Sequence, residues 1–246
     1  SISEILPSIL MAHALAVSCT SERPSKNIDR RFSQKITSQK ATFIGLRQGQ
    51  YRRMTSTSVS EARERLVERI RSLAYLYSQE PFTLASGRES NHFFDMKPVM
   101  MDPECAHLLG VMIHHSIEDL GGVDAVGGLE LGAVPLTGIA IAKAGRGSSL
   151  RGFIVRKEPK GRGGRKTGNP PGIEGSSLEK GFRVVLLEDV TTTGGSALKA
   201  ADLLIELGCE ISACITILDR EEGGIEAFEE AGIKLLPLTL KSDIVG

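Results

Sequence analysis

Two carboxylates, Glu188 and Asp189, stand directly after the apolar run at residues 184–187 and directly before Val190-Thr191-Thr192-Thr193-Gly194-Gly195-Ser196. An unbroken apolar run of this length fits a strand covered on both faces of a parallel sheet. Such sheets bind ligands at the carboxyl ends of their strands, so acids at that end can meet substrate hydroxyls or a hydrated magnesium ion. The hydroxyl- and glycine-rich turn after them opens a helical pattern at residues 197–207. Glycines let backbone N–H groups approach an anion, hydroxyls add donors, and the positive end of the helix favours a phosphate. Together these residues suit a phosphorylated sugar. No Gly-Lys-Ser or Gly-Lys-Thr occurs, which excludes the lysine-bearing phosphate loop of nucleotide triphosphatases.

A second set of chemical residues is basic. Arg156, Lys157, Lys160 and Arg162 lie in a glycine-rich, polar stretch at residues 155–175. That composition predicts a mobile lid, and lid cations can neutralise a departing polyanion while water is excluded. A third candidate is Arg220, in the Asp-Arg pair that ends the apolar run from residue 215. A guanidinium fork at a strand end matches a ligand carboxylate, or else pairs with a neighbouring acid.

The elements that must position these groups follow from periodicity. Leu66, Ile70, Leu73 and Ala74 recur at helical spacing from about residue 59. Residues 81–97 read as two extended pieces around a Ser-Gly-Arg turn. Helix is expected at 103–120, strand at 123–126, a glycine-rich loop, helix at 135–144, and strands at 153–155, 184–187 and 209–218. Alternation of this kind specifies an α/β fold: a mostly parallel twisted sheet with helices on both faces.

The chain has 246 residues, 41% hydrophobic and 24% charged, enough for one good-sized core. Zero formal net charge gives no global sign of a nucleic-acid or membrane partner. Cys19, Cys105, Cys209 and Cys214 lack metal-ligand spacing, which disfavours structural zinc and a disulfide framework and favours a cytoplasmic setting. Residues 1–57 read as a basic, Ser-rich extension, disordered or leader-like, with Met54 a natural start; an organelle transit peptide is the alternative. The folded domain is expected at residues 58–246.

The run from Glu188 to Ser196 resembles the phosphoribosyl-diphosphate (PRPP) motif of the type I phosphoribosyltransferases. The stretch Phe82-Thr83-Leu84-Ala85-Ser86-Gly87-Arg88, with Phe93-Phe94, resembles the amino-terminal element of the orotate phosphoribosyltransferases. Gly128-Leu129-Glu130-Leu131-Gly132-Ala133 resembles their pyrophosphate loop, and Arg156-Lys157 with Lys160 their catalytic loop. The resemblance implies the type I fold with a small amino-terminal hood, and transfer of the phosphoribosyl group of PRPP to orotate. It further implies PRPP contacts from Arg156, Lys157, Lys160, Arg162, Glu188, Asp189, Val190, Thr191, Thr192, Thr193, Gly194, Gly195 and Ser196. Arg156, Lys157, Lys160, Glu188 and Asp189 are the implied catalytic set, with the two acids on the ribose hydroxyls. Orotate would meet Phe93, Phe94, Thr192 and Arg220. Mg²⁺ would be held mainly by PRPP, without a firm protein ligand. A homodimer sharing the loop across subunits is implied as well.

Departures from the pattern are specific. Arg162 takes a histidine position, residues 167–172 lengthen the loop, and Ala85 and Gly132 stand where some branches carry lysine. A purine-specific relative would keep the Glu188–Ser196 turn without needing Arg220. A non-catalytic, PRPP-sensing nucleic-acid regulator would have no use for the intact Arg156, Lys157 and Lys160 set.

Overall fold

The backbone polarity of eight strands is satisfied in two sheets, one of six strands and one of two. The structure is a computed structural model describing residues 57–83, 87, 89–158 and 168–246. The extension expected at 1–57 lies outside the described residues except for Thr57, as do Ala85, Lys160 and Arg162.

Helix α1 (Val59–Leu73) starts at Ser58, whose hydroxyl accepts from the Glu61 N–H, and it buries Ala62, Leu66 and Ile70 along one stripe. Its arginines face outward. Arg69 pairs with Asp102 at 2.7 Å, Arg65 pairs with Glu104, and Arg71 donates to the carbonyls of Asp243 and Ile244. An antiparallel hairpin follows, β1 (Tyr75–Thr83) against β2 (Glu89–Phe94). Its first strand begins well before the extended piece read from sequence. After α2 (Lys97–Met100), the Asp102 side chain caps α3 (Pro103–Asp119) by accepting from Glu104 N and Cys105 N.

The main sheet is built from β3 (Ala125–Leu129), β4 (Arg151–Val155), β5 (Ile173–Gly175), β6 (Arg183–Thr191), β7 (Glu210–Asp219) and β8 (Leu235–Leu240), in the order β5-β4-β3-β6-β7-β8. All neighbours are parallel except β5, which runs antiparallel to β4. Helices α4 (Ala133–Ala144), α5 (Gly195–Glu206), α6 (Gly224–Glu230) and α7 (Lys241–Val245) complete the unit at residues 57–246. Along β6 the burial alternates between two cores. Val185 and Leu187 pack with α1, α3 and α4, while Val184 and Leu186 pack with α5 and Phe228. Both faces of the strand are therefore covered, as its apolar run requires.

Three sequence expectations are corrected. Strand β3 lies at 125–129 instead of 123–126, because its glycines belong to the strand: a Cβ on Gly127 would overlap the Phe153 carbonyl, and one on Gly128 the Leu187 carbonyl. Glycine here marks close backbone approach, not a loop. Strand β6 continues past 187, with Glu188, Val190 and Thr191 still paired to Thr216, Leu218 and Asp219. At the end of the range 155–175 expected as a lid the chain is packed structure, since Ile173 is buried in β5 and the Asn169 side chain bonds Ser176 O and Leu178 N, while residues 159–167 lie outside the described residues.

Strands β3 and β6 are neighbours whose following connections leave in opposite directions, toward β4 and β7. Their carboxyl ends diverge, and a crevice opens at such a point in any open α/β sheet.

Candidate active site

A cavity of about 440 Å³ occupies that crevice. The hairpin supplies Thr83, Phe93 and Phe94; the turn after β3 supplies Glu130, Leu131 and Gly132; the end of β4 supplies Lys157. Glu188, Asp189, Val190, Thr192 and Ser196 come from β6 and its turn, and Arg220 from the end of β7. A second cavity of about 270 Å³ adjoins it, lined by residues 190–196, Glu188 and Lys199. The two share Glu188, Val190, Thr192 and Ser196.

The phosphate turn is shaped by Gly194, which precedes α5 with φ +77° and lies against the Phe228 ring, where a Cβ would come within 2.9 Å. Only glycine combines that backbone with that contact. Thr191 ends β6 with its hydroxyl buried and without a hydrogen-bond partner, so of the three threonines it is the one turned inward.

Each acid accepts from the next backbone N–H: Glu188 Oε1 from Asp189 N at 3.3 Å, and Asp189 Oδ1 from Val190 N at 2.9 Å. Burial, then the adjoining Asp189, pushes the Glu188 carboxyl up to about 8. Gly132 faces this pair so closely that a Cβ would overlap the Asp189 carboxylate. No lysine fits there without moving Asp189, which accounts for that departure from the lysine-bearing branches.

The raised Glu188 carboxyl has a testable consequence for stability. A carboxyl whose folded pKa exceeds its unfolded value contributes stability that is complete below the unfolded value, near 4.3, and lost as pH rises toward 8. Stability is therefore expected to fall as the pH rises from about 5 toward 8. Glu188→Gln removes this dependence, so melting curves of the ligand-free wild type should fall more steeply with pH than those of the variant. Parallel curves would refute the assignment.

Arg220 is 3% exposed, and its guanidinium lies 5.7 Å from the centre of the Phe94 ring. Its Nη2 donates to Ser90 Oγ at 3.1 Å and to the His92 carbonyl at 3.3 Å, and pairs with Glu222 at 2.9 Å. The Nε–H is buried with no partner. Of the two phenylalanines, Phe94 is buried against Tyr75, whereas Phe93 is about one-third exposed and packs on Phe82.

Among the described residues, Arg156 is the expected site residue that lines neither cavity. It pairs with Glu130 and Glu174, both at 3.5 Å. Lys157 does line the larger cavity, with its backbone N–H donating to Glu130 Oε1. Sequence reasoning passed over Thr83, Lys97, Lys199 and Glu222. Lys199 had a signal, being three residues after Ser196 on a helix and so on its face; Lys97 and Thr83 reach the cavity only through tertiary folding.

Comparison with known proteins bears on this geometry. Residues 104–229 match the family model of the phosphoribosyl transferase domain. The orotate phosphoribosyltransferase of Bradyrhizobium sp. (strain ORS 278) is 46% identical over 186 residues, covering 74% of this chain and 96% of that protein. The chain belongs to the orotate phosphoribosyltransferase family. Among solved structures, the Mycobacterium tuberculosis orotate phosphoribosyltransferase with Fe(III) dicitrate is 31% identical, with a TM-score of 0.62 over 74% of this chain and 98% of that one. The same enzyme in complex with PRPP is 30% identical, with a TM-score of 0.60 over 75% and 99%. The type I phosphoribosyltransferase fold expected from sequence is thereby established, with the β1–β2 hairpin as its amino-terminal hood.

Proposed function

We propose that this chain transfers the 5-phosphoribosyl group of PRPP to orotate, giving orotidine 5-monophosphate and pyrophosphate in pyrimidine (UMP) biosynthesis. The observation that carries this reading is the cavity itself: a phosphate turn and an acid pair line it together with a buried arginine and a phenylalanine. The 5-phosphate occupies the turn of Thr192, Thr193, Gly194, Gly195 and Ser196, at the amino end of α5. Glu188 and Asp189 accept from the ribose hydroxyls. Orotate lies beside Phe94 and Phe93 with its carboxylate on Arg220, and Thr192 stands between the two substrates.

The reaction forms a bond from an orotate ring nitrogen to ribose C1 and breaks the bond from C1 to the diphosphate oxygen; pyrophosphate leaves with that electron pair, and the proton of the ring nitrogen is released to solvent or to the pyrophosphate. Positive charge develops on the sugar ring and negative charge on the leaving group. No protein nucleophile is required. Lys157 stabilises the leaving pyrophosphate, with Arg156, Lys160 and Arg162 the further cations assigned to that charge. Asp189 sits on the ribose side, where its charge favours the developing positive charge, and Glu188, whose carboxyl is pushed up, adds to this only in its ionised form.

A magnesium ion suits this donor set. The described residues contain no group of three or more His, Cys, Asp or Glu placed to hold a metal, and the acids that face the cavity offer hard oxygens. Mg²⁺ takes few protein carboxylates and many phosphate oxygens, so Asp189 and Glu188 would assist an ion held chiefly by PRPP. When bound, the ion neutralises diphosphate charge.

Leu131, 63% exposed beside the cavity, and Val134 leave an apolar surface next to the site that a second subunit would cover in a homodimer. Residues 58–246 suffice for the reaction on this reading, with residues 1–57 an appended extension. Among the described residues no helix is long and apolar enough to cross a membrane.

Orotate-dependent release of pyrophosphate from PRPP and Mg²⁺ tests the proposal, with the full chain compared against one starting at Met54. Both should turn over orotate and neither adenine nor hypoxanthine. Turnover of a purine in place of orotate would refute it.

A further inference from the structure

We infer that Glu222 is a positioning residue for the base end of the cavity, holding the Arg220 guanidinium at the angle from which it meets the substrate carboxylate. The inference rests on the orotate reading of Arg220 and extends it to a residue outside the substrate's reach.

Arg220 enters the cavity on a side chain only 4% exposed, so water does little to hold its charge. An arginine side chain has several rotatable bonds, and its planar head is useful for bidentate recognition only when its roll is fixed. Here the roll is fixed at one nitrogen. Nη2 meets Ser90 Oγ, the His92 carbonyl and Glu222 Oε1, and of these only Glu222 carries charge. Nε–H, on the same planar head, is buried without a partner, while the residue as a whole lines the cavity. Fixing Nη2 therefore fixes the plane of the guanidinium that lines the cavity.

Glu222 is itself held. The same Oε1 lies 3.9 Å from Lys241 Nζ at the start of α7, and the neighbouring Ser242 donates from its N–H and hydroxyl to Glu221. The far end of α7 is tied to α1 through Arg71 and through the Arg63–Asp243 pair. A chain of contacts thus runs from the amino-terminal helix through the carboxyl-terminal helix to the arginine.

Reach and charge are separated by two substitutions. Glu222→Asp keeps the charge but withdraws the oxygen by one methylene, and Glu222→Gln keeps the acceptor oxygen in place without the charge. The Asp variant is expected to raise the KM for orotate about tenfold, the worth of one charge-assisted hydrogen bond. The KM for PRPP should stay at its wild-type value despite a modest drop in melting temperature, and the Gln variant should recover most of the orotate KM. An unchanged orotate KM in Glu222→Asp, an equal rise in both KM values, or a Gln variant as impaired as the Asp variant would each overturn the inference. Arg220→Ala, measured alongside, keeps the two readings apart. If it leaves the orotate KM unmoved, the orotate reading of Arg220 fails; if it raises that KM while the Glu222 variants do not, only the role of Glu222 fails.

Discussion

Lys157→Ala is expected to lower kcat by a factor on the order of 10²–10³, the usual effect of removing one preorganised group from a developing oxyanion. The lysine follows β4, and its backbone is pinned by the N–H bond to Glu130 Oε1 at 3.0 Å, so its side chain starts from a fixed point on the cavity wall. Its charge also favours the ionised form of Glu188, which places it in the same electrostatic field as the ribose acids. The leaving pyrophosphate gains charge in the transition state, so loss of this cation should fall on kcat far more than on the KM for orotate. Arg156→Ala should do less within one subunit, because that guanidinium is already committed to Glu130 and Glu174. Steady-state rates with both substrates saturating, together with single-turnover rates, separate chemistry from product release. A Lys157→Ala enzyme with wild-type single-turnover rate would remove Lys157 from the mechanism.

The residues with chemistry were legible in sequence because each group stands at the end of an apolar strand. Glu188 and Asp189 end the hydrophobic part of β6, Lys157 follows β4, and Arg220 follows β7. A parallel sheet carries all such ends to one edge, so fold class alone brings them together. What periodicity could not show was where glycine serves packing. Gly127 and Gly128 read as loop, yet they form the strand because β4 and β6 approach too closely for side chains. Strand β8 and the helices α6 and α7 were not foreseen, being short elements whose identity comes from their packing on β7 and α1. Glu222 escaped for a related reason. In sequence it is one acid among Glu221 and Glu222, and only the burial of Arg220 singles it out.

Arg220→Ala should raise the KM for orotate about a hundredfold while leaving the KM for PRPP nearly unchanged, since a bidentate charged pair in a shielded site is worth about 2–3 kcal/mol. The physical basis is a guanidinium buried beside Phe94 in a residue that lines the cavity: it is largely desolvated before any ligand arrives, and a carboxylate relieves that cost. Arg220→Lys should recover little, because an ammonium cannot meet Ser90, the His92 carbonyl and Glu222 while also presenting a planar edge to the base. Truncation leaves Glu222 with only the more distant Lys241 as partner, so a modest drop in melting temperature is expected too. That drop acts on the whole fold and would weaken both substrates alike, whereas loss of the carboxylate contact acts on one. Uracil, the same ring without the carboxylate, provides the internal control. It should be a poor substrate for the wild type and no poorer for Arg220→Ala, so the variant's preference for orotate over uracil should collapse. A preference that survives the substitution would place the carboxylate elsewhere in the cavity, with Lys97 the cation to examine next.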